Sequence, residues 1–232
     1  MAITTRRRFA AARTRLDDHR AVRAAHGGDV NDVVLAVVAG ALRGWLRSRG
    51  EPVTASTTVR AMAPQSVRGD LDAGVDGVLE GSRVASYLVG LPVGEPNPVV
   101  RLQHVIHAMR AHKESGQSVG AEALVRLSGF APVTLHSLGA RVANGFSRRI
   151  FNLVVTNVPG PQFPLYAAGA KMTEVYPVVP LAKNQVVSVG VTSYDGGVYY
   201  GLNADRDAMP DLDVLAALIE ESLEELVATV PT

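Results

Sequence analysis

The stretch that most constrains the fold is Phe151 to Pro180, FNLVVTNVPGPQFPLYAAGAKMTEVYPVVP, in which two apolar, strand-like runs flank an Asn157-Val158-Pro159-Gly160-Pro161 corner. Phe151, Val154, Val155 and Thr156 are aromatic or β-branched and favour extended backbone. Pro159 and Pro161 hold φ near about −65° and donate no hydrogen bond, so the ladder is expected to stop at the corner. Gly160 carries no Cβ, which lets backbone or a ligand come close. A stiff structural turn is the simplest reading of these signals alone. The chain before the corner reads mostly as helices in need of a sheet, and the chain after it as that sheet's continuation.

With 47% apolar residues in 232, the chain has ample material for a core. Lys and Arg number 23 against 22 Asp and Glu, so a formal charge of +1 gives no global field toward nucleic acid or acidic lipid. The absence of cysteine excludes disulfides, thiolate metal sites and a cysteine nucleophile, and agrees with a cytoplasmic location. TTRRRFAAA superficially matches a twin-arginine signal, but the following AARTRLDDHR is charged where an export signal is apolar. The run Val33 to Leu42 is about half of the ~20 residues that a bilayer span requires, so no spanning segment is expected.

In chain order, a basic strand-like RRRFAAAR leads into a short helix, Leu16 to His26, stopped by Gly27-Gly28. Arg6 to Arg8 read as a solvated edge, with phosphate contact as the alternative. Asp29 and Asp32 have capping-box spacing at the start of a helix that runs to about Arg49 and is apolar nearly all round. Thr57 to Pro64 reads as a strand, Gln65 to Gly81 as a loop, Arg83 to Gly94 as a strand and Pro98 to Glu114 as a helix. Glu122 to Leu127 and Pro132 to Phe146, with His136, read as two more helices. Strands over Gln185 to Ser193 and Val198 to Asp205 are joined by a Tyr194-Asp195-Gly196-Gly197 hairpin turn. A last amphipathic helix spans Pro210 to about Val230. The expected fold is α/β: a layered sandwich of a mixed, largely antiparallel sheet covered by helices.

Few residues carry chemistry on local signals. His104 and His107 share a helix face, but the nearest carboxylate there, Glu114, lies about 10 Å from His107 along the axis, so a solvated face is the better reading. Ser137 beside His136 lacks the Gly-x-Ser-x-Gly turn of a serine hydrolase, and no glycine cluster matches a phosphate-binding loop. No catalytic or metal-ligating residue is assigned. Asn31 and Asp32, at the mouth of a very apolar helix, are the polar pair of most interest, although capping alone accounts for them.

The ordered set VNDVVLAVVAGALRGWL, VRAMAPQSVRG, LPVGEPNPVVRL, TNVPGPQFPLYAAGAKMTEVYPVVPL and GLNADRDAMPDL resembles the C-terminal half of bacterial wax ester synthase/diacylglycerol acyltransferases, from about Arg7 to Val227. The resemblance implies a chloramphenicol acetyltransferase-like fold, in which two α/β halves face each other across a substrate tunnel. It implies transfer of a long acyl chain from acyl-CoA, the co-substrate, to diacylglycerol or a fatty alcohol, giving triacylglycerol or wax ester. A His-His-x-x-x-Asp-Gly motif of the first half would supply the general base, a role suited to a neutral imidazole. This sequence has neither a His-His pair nor that motif. Residues 1–232 are therefore expected to form a single domain equivalent to the family's C-terminal domain, without the catalytic N-terminal half and inactive alone.

By the same resemblance, Asn31, Asp32, Asn157, Val158, Pro159, Gly160 and Pro161 bind substrate or support the active site, with Asn31 lining it and Asp32 bracing helix and loop. No cofactor beyond the acyl-CoA co-substrate is implied. Expected partners are acyl-CoA, a lipid alcohol and the histidine-bearing half or a homologous chain, with no nucleic acid. Any contact with a membrane or lipid droplet would be peripheral. The alternative is a non-catalytic remnant or a lipid- or partner-binding module of the same fold. A half whose partner face is uncovered should expose an apolar patch.

Overall fold

A computed structural model describes residues 3–67, 83–115, 151–181 and 185–231. Its centre is a six-stranded sheet built from β1 (Arg7–Arg15), β2 (Val59–Val67), β3 (Arg83–Leu91), β4 (Leu153–Pro159), β7 (Val187–Tyr194) and β8 (Gly197–Asp205), in the order β1-β8-β7-β4-β2-β3. Pairings β1–β8, β7–β8 and β2–β3 are antiparallel, while β2–β4 and β4–β7 are parallel. The expected mixed, largely antiparallel α/β sheet is thus present. Its strands come from both halves of the chain, not mainly from the second, because the first strand pairs with the last.

Helices α1 (Leu16–His26), α2 (Val30–Ser48), α3 (Pro98–Ser115) and α4 (Leu212–Val227) form the layer above the sheet. The period-two pattern of the strands sorts their side chains between two faces. Ala10 and Ala12 of β1, Leu153 and Val155 of β4, Val189 and Val191 of β7, and Tyr200 and Leu202 of β8 all join the helices in one core. Helix α2 is its hub: Val33 to Ala39 are fully buried, and the helix packs on α1, α3 and α4 as well as the sheet. Each such Val or Leu contributes about 1.5–3 kcal/mol through removal from water. Helix α4 shows Leu212, Leu215, Ile219, Leu223 and Leu226 to the core and its glutamates to solvent. Asn97 caps α3, its Oδ1 accepting the Val99 and Val100 N–H groups, with Pro98 in the first helical position.

The opposite sheet face has a smaller cluster of Met62, Phe151 and Val154 with Leu88 and Val179 against it. Residues 172–181 cross β7 and β8 there without forming a strand, contrary to the second strand-like run expected before Pro180. Gly190 and Gly201 are register partners on adjacent strands, and together they leave room for this strap. A Cβ on Gly201 would overlap the Pro177 carbonyl, and one on Gly190 would meet Val179 at 2.8 Å. Ser188 Oγ and Asn203 Nδ2 donate to the Val179 carbonyl at 2.7 and 2.9 Å, anchoring the strap.

The Asp195-Gly196 turn has positive φ at both residues, 43° and 80°, as expected for this hairpin. Two β-strand residues on each side, β5 (Tyr166–Ala167) and β6 (Ala170–Lys171), make a small separate hairpin. Residues Gln65 to Val67, expected in a loop, extend β2 because they pair with β3. The rest of that loop, the helices expected over 122–127 and 132–146, and His136 lie outside the described residues. Arg6 and Arg8 pair with Asp207 and Asp213, and Arg7 lies 4.0 Å from Asp205, so these three arginines form a charge-matched edge.

Candidate functional site

The N-terminus of α2 is fixed by two reciprocal bonds. Asp29 Oδ1 accepts the Asp32 N–H and Asp32 Oδ2 accepts the Asp29 N–H, both at 2.9 Å, completing the capping box read from the sequence. Gly28, with φ of 80°, brings the chain into this cap so closely that a Cβ would meet Ile106 of α3 at 2.7 Å and Asp32 Oδ2 at 2.9 Å. Lys113 Nζ of α3 pairs with Asp29 Oδ2 at 2.9 Å, tying a third element to the same turn. This lysine is a participant that sequence reasoning missed, because its partner is 84 positions away in sequence.

Asp32 is buried, and Asp32 Oδ1 has no hydrogen-bond partner among the described residues. Burial raises its pKa to about 6; the Asp29 N–H opposes that rise, the Asp29 carboxylate adds to it, and Lys113 and Arg110 oppose it weakly. Asn31, one residue earlier, points to β4. Residues 153, 155 and 157 of that strand share the helix-facing side, and Asn157 Nδ2 donates to Asn31 Oδ1 at 3.5 Å, the long limit of such a bond. Asn31 Nδ2 is buried with no partner among the described residues, which leaves its NH2 group unpaired near the junction of α2 and β4.

The corner itself is built differently from the sequence expectation. The ladder does not stop before the prolines: Asn157, Val158 and Pro159 stay in register with Val191, Thr192 and Ser193 of β7. A proline at the end of a strand loses a donor but keeps its acceptor, so pairing survives to Pro159. Gly160 then donates to the Ser193 carbonyl at 3.0 Å, and a Cβ on Gly160 would overlap that same carbonyl. Its close neighbour is therefore backbone. Pro161 accepts the Asp195 N–H at 3.2 Å, and Gln162 bridges Gly160, Ser193 and Gly196, so the corner is stapled to the β7–β8 turn.

Of the seven residues singled out by resemblance, the structure brings Asn31, Asp32 and Asn157 to the α2–β4 junction. Pro159, Gly160 and Pro161 make the adjoining corner, and Val158 projects to solvent at 64% exposure. Beyond it Phe163, Leu165, Tyr166 and Val178 are exposed large apolar side chains. Among the described residues no group of histidines and carboxylates could hold a metal ion, and no helix is long and apolar enough to cross a membrane. His104 and His107 are exposed, as a solvated face requires. Among the described residues the junction offers the Asp32 carboxyl, its pKa raised to about 6, and the buried NH2 of Asn31.

The six-stranded sheet and its helix layer have the fold of one half of a wax ester synthase/diacylglycerol acyltransferase and of condensation domains. A condensation domain of the enacyloxin polyketide synthase overlaps the whole chain with a TM-score of 0.60 at 14% identity, covering 43% of that chain, a likeness of fold. Residues 80–227 match the WS/DGAT C-terminal domain, and the chain belongs to this wax ester synthase/diacylglycerol acyltransferase family. The wax ester synthase/diacylglycerol acyltransferase of Marinobacter aquaeolei superposes with a TM-score of 0.72 at 29% identity, covering 98% of this chain and 50% of its own. The O-acyltransferase WSD of Acinetobacter baylyi is 32% identical over 224 residues, which are 96% of this chain and 46% of that protein. The chain thus spans about half the length of the curated relatives that it matches.

Proposed function

We propose that this chain is the C-terminal half of an O-acyltransferase that moves a long acyl group from acyl-CoA to diacylglycerol or a fatty alcohol, working with a histidine-bearing half. The observation that carries this reading is the Asn31–Asn157 contact, which joins two motifs far apart in sequence and leaves Asn31 Nδ2 buried with no partner among the described residues. In the assembled enzyme that N–H donates to the oxygen that gains charge as the acceptor hydroxyl attacks the thioester carbon. The partner half supplies the imidazole that takes the hydroxyl proton. Asp32 and the 157–161 corner hold the wall rigid, and the residues of 1–232 act as one domain.

The exposed apolar side chains of Val158, Phe163, Leu165, Tyr166 and Val178 support a docking role for the second half or for an acyl chain. The test is co-expression with a histidine-bearing half, followed by thioester consumption with acyl-CoA and diacylglycerol. Asn31→Ala is expected to lower kcat by about 10²-fold, as loss of one charge-stabilising donor does elsewhere. A well-formed complex that consumes no thioester would overturn the reading. Unchanged turnover in Asn31→Ala at equal stability would remove the role of that residue. The same exposed apolar residues also favour a second reading, a non-catalytic acyl-chain- or partner-binding module, which predicts lipid binding without turnover in the complex.

A further inference from the structure

Far from the Asn31–Asn157 junction, α2, α3 and α4 line a half-open polar cavity of about 150 Å³. Arg43 lies twelve residues beyond Asn31, about 18 Å along the helix at about 1.5 Å per residue, so the two places are distinct. Arg43 and Arg47 enter from one helical face of α2, Arg101 from the first turn of α3, and Ser222 and Glu225 from α4. Gly40 makes their approach feasible: a Cβ there would overlap Ser222 Oγ and sit 2.7 Å from Arg101 Nη2. The hydroxyl and the guanidinium thus converge on one point between the helices.

Arg101 is buried to 1% exposure, an uncommon place for a permanent charge. Its Nη1 donates to the Glu95 carbonyl and its Nη2 to Glu225 Oε2, each at 3.1 Å, while Nε is buried with no partner among the described residues. Ser222 Oγ is likewise buried and unpartnered. Arg43 is held beside it by bonds from Nη1 to the Val93 and Gly94 carbonyls at 3.1 and 2.9 Å, so one loop gathers two guanidiniums. Arg47 has no hydrogen bond or ion pair from its side chain among the described residues. Against these three positive charges stand Glu225, which is 60% exposed, and Glu95, whose carboxylate accepts the Asn97 N–H. Burial sets the Arg101 pKa below its ordinary value and the Arg43 charge adds to that, while the bond and charge of Glu225 oppose it.

We propose that this cavity binds a phosphate group, either free phosphate or a phosphomonoester. A tetrahedral dianion supplies acceptors to the unpaired Arg101 Nε and Ser222 Oγ together, offsets the like charges of Arg43 and Arg101, and takes the open fork of Arg47 at the rim. Chloride is too small and too weak an acceptor to bridge these groups. This site does not rest on the acyl-transfer reading, because occupancy is measured without turnover.

The test is calorimetric titration of this chain with sodium phosphate at constant ionic strength, with sodium chloride as the control. Saturable binding with a dissociation constant on the order of 1 mM is expected, weakened about 5–10-fold in Arg47→Ala and less in Ser222→Ala, and partly retained in Arg47→Lys. Arg47 is exposed, so its variants test the site without unsettling the core. Coenzyme A and dephospho-coenzyme A then separate the two sources. A roughly 10-fold preference for the 3′-phosphorylated form, lost in Arg47→Ala, marks a phosphomonoester site, whereas phosphate binding with no such preference marks a free-phosphate site. Heats equal to the chloride control, or binding unchanged in both Arg47→Ala and Ser222→Ala, would overturn the proposal.

Discussion

Asn157 Nδ2 and Asn31 Oδ1 meet at 3.5 Å across the junction of β4 and α2, joining residues 126 apart in sequence. The bond is long, and the second amide group of Asn31 is unpaired. Its contribution to stability is therefore expected to be small. Asn157→Ala should lower the unfolding free energy by about 1 kcal/mol in urea titrations, while any effect on acyl transfer in the assembled enzyme should be larger than that figure converts to. A loss above about 3 kcal/mol would mark Asn157 as a structural keystone.

Gly160→Ala is expected to be much more costly. The new Cβ overlaps the Ser193 carbonyl, which is backbone and cannot swing aside, and the Gly160 N–H bond to that carbonyl must lengthen. Destabilisation of about 2–4 kcal/mol should appear as a lower urea midpoint with an unchanged slope. Gln162→Ala removes only side-chain bonds at an exposed site and should cost about 1 kcal/mol.

Gly201→Ala should lift the 172–181 strap. Its Cβ would occupy the position of the Pro177 carbonyl, and no rotamer of alanine avoids this. The expected result is faster proteolysis between 172 and 181 and greater binding of an apolar dye, as the Met62–Phe151–Val154 cluster beneath is uncovered. A strap that stays equally protected would show that Pro177 is held by other contacts.

Two buried titratable groups give opposite pH dependences. Asp32 has a folded pKa raised to about 6 by burial, so the folded state prefers its protonated form. The stability it confers is fully present below its unfolded pKa near 3.8 and is lost as pH rises through about 6. His19, fully buried, donates from Nδ1 to the Arg15 carbonyl at 3.0 Å and accepts from the Tyr200 hydroxyl at 2.9 Å through Nε2. Burial depresses its pKa, so its contribution is present above 6.5 and is lost as pH falls below that value. Asp32→Asn should remove the fall in stability between about pH 4 and 6, and an NMR titration should find the His19 ring protonating below the ordinary histidine value of 6.5.

Local signals made several parts of the fold legible in the sequence. Asp29 and Asp32 announced the start of α2, and the Asp195-Gly196 pair announced the last hairpin, because each is a short-range device whose residues lie within one turn. The parallel β2–β4–β7 centre was not legible, since a strand's sequence carries its sidedness but not its neighbours. The strap was misread for the same reason: its apolar residues suit a strand, but Gly190 and Gly201 make a groove that only the assembled sheet reveals. At the candidate site, resemblance supplied Asn31 and Asn157, and only the register of β4 put them on the same side as α2. Lys113 and Arg101 gave no signal, because a buried or cross-linking cation looks like any surface charge until its partners are placed.

The pairing of β1 with β8 has a consequence for synthesis. Among the described residues, Arg7 to Arg15 pair only with the strand Gly197 to Asp205. At about 5–20 residues per second, a ribosome takes roughly 10–40 s to reach it, during which the nascent β1 has no ladder. Its first three arginines are suited to that interval, since a strand edge bearing like charges repels its copies on neighbouring polysomes and discourages edge-to-edge association.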